Sequence, residues 1–449
     1  MKYKGQNVAI LGCGRSGQAA ARLAGREGAR VSIFDEGSSE QLQDSADSLR
    51  EHGCQCFIGG EALKANVEDF QVAVLSPGIA IDHQLAGRFT DASIPLIGEM
   101  EFAFPFCSSR VVAVTGTNGK TTTVELIATM LNACGESTVA AGNYGRPLSD
   151  IVSGSQTYST VALEVSSFQL ETVETFHPEV AVWTNFAPDH LDRYADVEQY
   201  RSAKMRLFEN QTSDDWAVLN SREEITGIKA NTCTFSAFDE RADYHFEDNV
   251  IMKGARELVR MSDISIRGRH NAENVMAALA VGHIHGYPSD SLVAAIAEYC
   301  PPAHRCEYAG MVEGVCFIND SKATNLHALE SALVSLHDGR GIVLIAGGKD
   351  KGLPFIELQE CIAQYADHVV LIGETRETLA REWGKHVDCR TAEDMQEAVS
   401  CAAALASPGQ TVLLAPGTSS FDMFPGYEAR GNAFCAAVKN LTQPTTSNE

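Results

Sequence analysis

Short apolar runs recur along the chain and alternate with longer stretches whose apolar positions fall three and four residues apart. The runs are Val8–Leu11, Val31–Phe34, Val72–Leu75, Val111–Val114, Val161–Val165, Val180–Thr184, Ile342–Ala346, Val369–Ile372 and Val412–Ala415. Continuous apolar runs of this length, closed by Gly, Pro, Ser or Asn, predict strands covered on both faces, with helices between them. After the fourth run, Val124, Ile127, Ala128 and Leu131 keep helical spacing, and Gly135 supplies a stop. The fold class this predicts is α/β, built on parallel sheets. The stretch 209–265 has weak helical periodicity and is expected to hold short strands and turns. Fresh strand-helix series begin near Ile97 and after Pro301-Pro302, which divides the chain into 1–97, 98–303 and 304–449.

Composition sharpens this picture. A chain of 449 residues leads one to expect about three domains. Lysine and arginine number 35 against 59 acids, a net charge of −24, which argues against coating nucleic acid or an anionic membrane. It leaves room for a local basic pocket. The 13 cysteines are scattered and odd in number, without a Cys-x-x-Cys pair. The first apolar run is too short for a signal peptide, so a reducing cytoplasm with free thiols is expected. The longest uncharged stretch, Ala398–Phe421, is interrupted by Ser407-Pro408-Gly409-Gln410, so no membrane insertion is expected.

Several strand ends carry chemistry. Gly12-Cys13-Gly14-Arg15-Ser16-Gly17 follows a strand and opens a helix, and Asp35 ends the next strand. Glycines there permit close backbone approach to a phosphate, and an acid can hold a ribose; the alternative is a merely tight turn. The string TGTNGKTT, Thr115 to Thr122, is a shortened relative of the phosphate loop. Lys120 would meet β- and γ-phosphates, and Thr121 or Thr122 would reach Mg²⁺. Glu164 lies inside a strand, where a carboxylate is costly unless paired or bound to a cation, or else turned to solvent. The stretch TNFAPDHLDRY, Thr184 to Tyr194, offers Asp189, His190 and Asp192, which serve equally as metal-reaching groups or turn residues. Later strand ends carry Asn271 and Asn274, Arg305, Asp320 to Asn325, Lys349 and Lys351, and Ser420 and Phe421. His283 and His285 do not share a helical face and are read as structural.

TGTNGKTT, LEVSSFQLE, TNFAPDHLDRY and DSKATN, in this order, resemble the Mur ligases over essentially the whole chain, and most closely their D-glutamate-adding members. The resemblance implies a Rossmann-like N-terminal unit, a central phosphate-loop ATPase domain and a Rossmann-like C-terminal domain. It turns the first glycine motif from a dinucleotide site into a holder of a UDP-linked substrate. Arg15, Ser16, Asp35, Ser76 and Gly78 are the matching positions, with Asn143 beyond them. For ATP it implies Gly116, Thr117, Asn118, Gly119, Lys120, Thr121, Thr122, Asn271, Asn274, Arg305 and Asp320. For D-glutamate it implies Lys322, Thr324, Lys351, Ser420, Phe421 and Tyr427.

Two Mg²⁺ ions are implied, with Thr121, Glu164, His190 and Lys204 as ligands, the last as a CO₂-derived carbamate. The resemblance implies Lys120, Glu164, His190 and Lys204 as the catalytic set.

The implied activity is an ADP-forming amide ligation on small-molecule substrates: ATP, D-glutamate and UDP-N-acetylmuramoyl-L-alanine. The chain is expected to act as a monomer, without nucleic acid. A nicotinamide-dependent oxidoreductase would fit the first glycines but leaves TGTNGKTT unexplained. A non-catalytic nucleotide-binding regulator would not need so many lysines, arginines and acids at strand ends. Another Mur-type ligase using a different amino acid is the nearest rival.

Overall fold

A computed structural model describes residues 2–190, 193–266, 268–299, 303–337, 339–350 and 353–441. All nine expected strands form, with ends within about one residue of the apolar runs that define them. Three sheets result. The first has five parallel strands in the order Gln55–Ile58, Arg30–Asp35, Asn7–Leu11, Val72–Leu75, Leu96–Gly98. Side chains alternate across it: Val8, Ile10, Ile33 and Val74 face one cluster with Leu23 and Ala24, while Ala9, Leu11, Phe34 and Leu75 face Leu85 and Phe89. Both faces are covered, which is why these strands read as unbroken apolar runs.

The second sheet has nine strands, with Arg110–Thr115 lying between Val180–Trp183 and Thr160–Glu164. The stretch of weak periodicity contributes five of them: Trp216–Asn220, Asn231–Ser236, Tyr244–Glu247, Val250–Lys253 and Arg256–Arg260. The third sheet has six strands, in which Thr411–Leu414 lies between Val315–Asn319 and Ile342–Ala346. The chain groups into two compact units. One comprises Met1–Val259 with Glu273–Ile296 and carries the first two sheets; the other comprises Arg260–Ala272 with Ala297–Glu449 and carries the third.

Gly17 shows why a glycine sits at the third position of the first motif. A Cβ there would lie 1.8 Å from the Gly12 carbonyl oxygen, so only glycine lets the helix Arg15–Arg26 approach its strand. That helix is also tied to the second sheet's flank: Arg22 pairs with Asp150 at 2.8 Å, and Arg15 donates to the Gly145 carbonyl at 2.7 Å. His283 and His285 are spent structurally. The first contacts the Tyr244 hydroxyl at 2.6 Å, and the second lies 3.2 Å from Glu136.

The first sheet hands over to the second through two buried carboxylates, Glu99 and Glu101, on the short helix Glu99–Ala103. Glu99 accepts from the Ser149 amide at 2.7 Å. Burial nonetheless pushes its carboxyl up to about 7, against the lowering effect of the Ser149 hydrogen bonds. The folded chain therefore holds this proton more tightly than the unfolded chain, so stability falls as pH rises from about 4.5 toward 7 and then levels. Glu99→Gln keeps the acceptor and removes the ionisation. Urea denaturation should show the variant matching the parent near pH 4.5 and exceeding it by about 2–3 kcal/mol above pH 7. A constant difference across that range would disprove the burial account.

Candidate active site

Sheet register brings the sequence-distant motifs together. Val114 stands opposite both Glu164 and Val182, so the loops after these three strands leave the sheet at one edge. An open parallel sheet places its ligands there. The loop Gly116–Gly119 leads into the helix Lys120–Ala133, and a helix N-terminus is a ready site for an anion. Gly119 has φ +80°, and a Cβ on it would lie 2.3 Å from the Asn274 side-chain oxygen. Asn274 also accepts from the Thr123 hydroxyl at 3.2 Å, which brings one expected ATP residue to the loop. Asn185, which the sequence reading passed over, accepts from the Asn118 amide at 2.9 Å and donates to the Asn118 carbonyl at 3.1 Å. It lies inside the TNFAPDHLDRY stretch, so the motif contained the signal.

Glu164 is 3% exposed, which settles its alternative: it does not turn to solvent. Its carboxylate accepts from the Thr121 hydroxyl at 2.6 Å and from the Asn143 amide nitrogen at 2.9 Å. Lys120 donates to the carbonyls of its own loop, Gly116 at 2.9 Å and Thr117 at 2.7 Å. Lys204, on the helix Val197–Met205 and 2% exposed, donates to the same Gly116 carbonyl at 2.8 Å. Burial holds the Lys204 amine well below the ordinary lysine range; the charge of Lys120 adds to this, and Asp189 and Glu164 oppose it. Its stem is flanked by Tyr200, whose ring lies 4.7 Å from the ammonium. Tyr200 was missed, although four residues before Lys204 is a same-face spacing on a helix.

His190 sits at φ +55° with its ring edge-on to Phe168 at 4.8 Å and 3.9 Å from the Asp189 carboxylate. Of the four expected metal ligands, Thr121 and Glu164 touch, while Lys204 and His190 have the partners just given. Among the described residues no three His, Cys, Asp or Glu side chains converge as a metal cluster. Asp192 lies outside the described residues.

All six positions expected to hold the UDP-linked substrate, Arg15, Ser16, Asp35, Ser76, Gly78 and Asn143, line one cleft of about 580 Å³ at the edge of the first sheet. Asp35 accepts from the Cys13 and Gly37 amides at 2.7 and 2.8 Å, which fixes the two glycine turns around it.

The second unit repeats the strand-end logic. Leu414 stands opposite Asn319, and Ile345 opposite Leu414, so the loops bearing Lys322, Lys349 and Ser420 leave one edge of the third sheet. The Lys322 ammonium lies 3.8 Å from the centre of the Tyr427 ring. Thr324 is half-buried, Ser420 is buried and Phe421 is 67% exposed. Lys349 donates its amide to the Ser419 carbonyl at 2.9 Å, while Lys351 lies outside the described residues. Arg430, also passed over, is buried and ties this cluster by donating to the Ser321 and Thr418 carbonyls at 2.9 and 3.0 Å.

Three expected ATP residues, Asn271, Arg305 and Asp320, belong to this second unit. Burial pushes the Asp320 carboxyl up to about 6, opposed by the Cys306 amide, which donates at 3.2 Å, and by the charge of Arg305.

A shortened phosphate loop at the end of a central strand of the second sheet, with a glycine-lined cleft at the edge of the first, marks an α/β enzyme of the nucleotide-handling class. Two family descriptions match: "Mur ligase middle domain" over residues 114–282 and "Mur ligase, glutamate ligase domain" over residues 304–418. The chain is 40% identical to the UDP-N-acetylmuramoylalanine--D-glutamate ligase of Geobacter metallireducens, over 98% of this chain and 99% of that one. It is 37% identical to the protein of the same name from Koribacter versatilis, over 99% of each. Among solved structures it resembles a UDP-N-acetylmuramate-alanine ligase from Thermotoga maritima, with TM-score 0.62 and 18% identity over 97% and 99% of the two chains. A MurF ligase from the same organism, in complex with ADP, gives TM-score 0.60 and 16% identity over 98% and 96%. The chain belongs to the Mur ligase family.

Gly119→Ala should place a methyl against Asn274 in a backbone conformation that alanine resists. A fluorescent ATP analogue should bind at least about tenfold more weakly to it, while Gly60→Ala, which faces open space, binds as the parent does. Equal affinities for the two variants would contradict the loop assignment.

Proposed function

We propose that the chain joins D-glutamate to UDP-N-acetylmuramoyl-L-alanine at the expense of ATP, releasing ADP and phosphate, in peptidoglycan precursor synthesis. Asn143 carries this reading. It lines the cleft and donates to Glu164 at 2.9 Å, so an acceptor lying in the cleft would end beside the phosphate loop. Residues 1–97 would hold the UDP portion, 98–303 the ATP, and 304–449 the amino acid through Lys322, Thr324, Lys351, Ser420, Phe421 and Tyr427. No described helix is long and apolar enough to cross a membrane, and we place the reaction in the cytoplasm, with the protein a monomer.

A carboxylate is a poor electrophile. Attack of the acceptor carboxylate on the γ-phosphorus gives an acyl phosphate, and the D-glutamate amine then displaces phosphate through a tetrahedral intermediate. Asp189 or His190 would take the amine proton. Lys120 neutralises oxygens that would otherwise repel the incoming carboxylate. The Thr121 hydroxyl and the Glu164 carboxylate, 2.6 Å apart, are hard oxygen donors of the kind Mg²⁺ prefers. His190 and a carbamate on Lys204 would serve a second ion. Bound there, Mg²⁺ would add charge stabilisation on the phosphate oxygens. Lys204 suits carbamate formation because its depressed basicity favours the neutral amine, the form that attacks CO₂. The product is an anion, which removes the repulsion from Lys120.

A phosphate-release assay pairing the UDP substrate with D-glutamate, L-alanine, L-lysine or diaminopimelate should respond to D-glutamate alone. A response to one of the others instead would overturn the amino-acid assignment. Lys120→Ala should lower turnover by at least about 10³-fold. Lys204→Ala should be inactive and regain activity with added short carboxylic acids; failure of that rescue would count against the carbamate.

A further inference from the structure

The stretch that supplies Asp189 and His190 ends in Arg193 and Tyr194, which the ligation chemistry above does not use. Arg193 grips the Glu171 carboxylate with both arms, Nε at 3.1 Å and Nη2 at 2.6 Å, and the Tyr194 hydroxyl adds a third bond at 2.6 Å. The two side chains of the pair are only 14% and 16% exposed, so water screens them weakly. The guanidinium lies 4.0 Å from the centre of the Phe168 ring. On its other side Nη1 donates to the Pro77 carbonyl at 3.1 Å, and Nη2 lies 3.5 Å from the Ile79 carbonyl. Pro77 and Ile79 are a wall of the nucleotide-sugar cleft. The Arg193 and Tyr194 amides both donate to the His190 carbonyl at 3.0 Å, and Phe168 packs against the His190 ring.

We propose that Arg193 is a positioning residue that locks the Ser76–Ile79 wall of the cleft to the Asp189–His190 turn, so that seating the acceptor also sets the turn. The inference rests on the ligase reading of the site. Arginine is required because one planar group must serve a carboxylate and two carbonyls at once; a lysine ammonium can serve one or two of these at a time. Without the guanidinium, the cleft wall and the turn keep their own backbone bonds but lose the bridge between them.

The test uses the full chain with Arg193→Lys, Arg193→Met and Glu171→Gln. Met keeps the stem against Phe168 and removes every donor. The parent's turnover with D-glutamate is the control for the ligase reading, and its absence would overturn both proposals. With an active parent, Arg193→Met should lose about 10- to 100-fold in kcat and raise KM for the UDP substrate. KM for D-glutamate and the Kd of a non-hydrolysable ATP analogue should stay within about twofold, a split that general destabilisation does not produce. Arg193→Lys should recover only part of kcat, and Glu171→Gln, which keeps acceptor geometry, should retain more than either. An Arg193→Met enzyme with kcat near the parent's, or one whose analogue affinity and Tm fall along with kcat, would overturn this inference while leaving the ligase reading intact.

Discussion

The Gly116 carbonyl accepts hydrogen bonds from two lysines, Lys120 at 2.9 Å and Lys204 at 2.8 Å. Two charged lysines on one oxygen would repel each other, and Lys204 is buried where charge is most costly, which is why its basicity is depressed. This crowding of lysines has two remedies, and the proposed chemistry uses both. Phosphate oxygens can neutralise Lys120, and conversion of Lys204 to a carbamate gives it a negative charge. The surrounding packing keeps the pair in place: Tyr200 flanks Lys204, its hydroxyl lies 3.4 Å from that of Thr117, and Thr117 donates to the Ala187 carbonyl. The loop, the lysine helix and the turn after Thr184 are thus parts of one packed body.

That crowding gives the chain's strongly negative balance a different meaning. A net charge of −24 describes the surface as a whole, where it opposes large anionic partners. Small anions respond to the field within a few ångströms. There the N-terminus of the helix Lys120–Ala133, the Arg15 end of the first helix and the lysines of the strand-end loops set the sign. An acidic protein built to hold anionic substrates is therefore no contradiction.

The sequence made the sheets legible because their strands are covered on both faces, which turns each into an unbroken apolar run. Strands with an exposed face had no bounds of their own in the pattern: Asn231–Ser236, within the stretch expected to hold short strands, begins with two exposed residues, and Gln55–Ile58 starts with an exposed glutamine. The cleft was legible for a related reason. The Gly12–Gly17 turn follows a strand and Asp35 ends one, and both are local signals, while Ser76, Gly78 and Asn143 were reached through the family resemblance; all six expected residues line the cleft. The Arg193–Glu171 bridge was not legible, since its two residues are 22 positions apart and its other partners are the backbone carbonyls of Pro77 and Ile79. Backbone acceptors leave no trace in side-chain identity. Arg430 is the same case in the second unit, with carbonyls for two of its partners.

Buried carboxylates separate scaffold from site by how they are satisfied. Glu101 accepts from the amides of Glu174, Thr175 and Phe176 and from the Thr175 hydroxyl, so its lone pairs are committed to holding one segment in place. Glu164, equally hidden, accepts only from two side chains, those of Thr121 and Asn143. Backbone donors cannot be withdrawn without unfolding the segment that carries them, whereas a hydroxyl and an amide can rotate away within their rotamer wells. Thr121 opens the helix after the glycine loop and Asn143 lines the cleft, so in the proposed reaction either would turn toward a ligand and leave Glu164 to the proposed Mg²⁺. Both acids meet the requirement that a buried charge be hydrogen-bonded, Glu101 mainly through backbone amides and Glu164 through two side chains that are free to rotate.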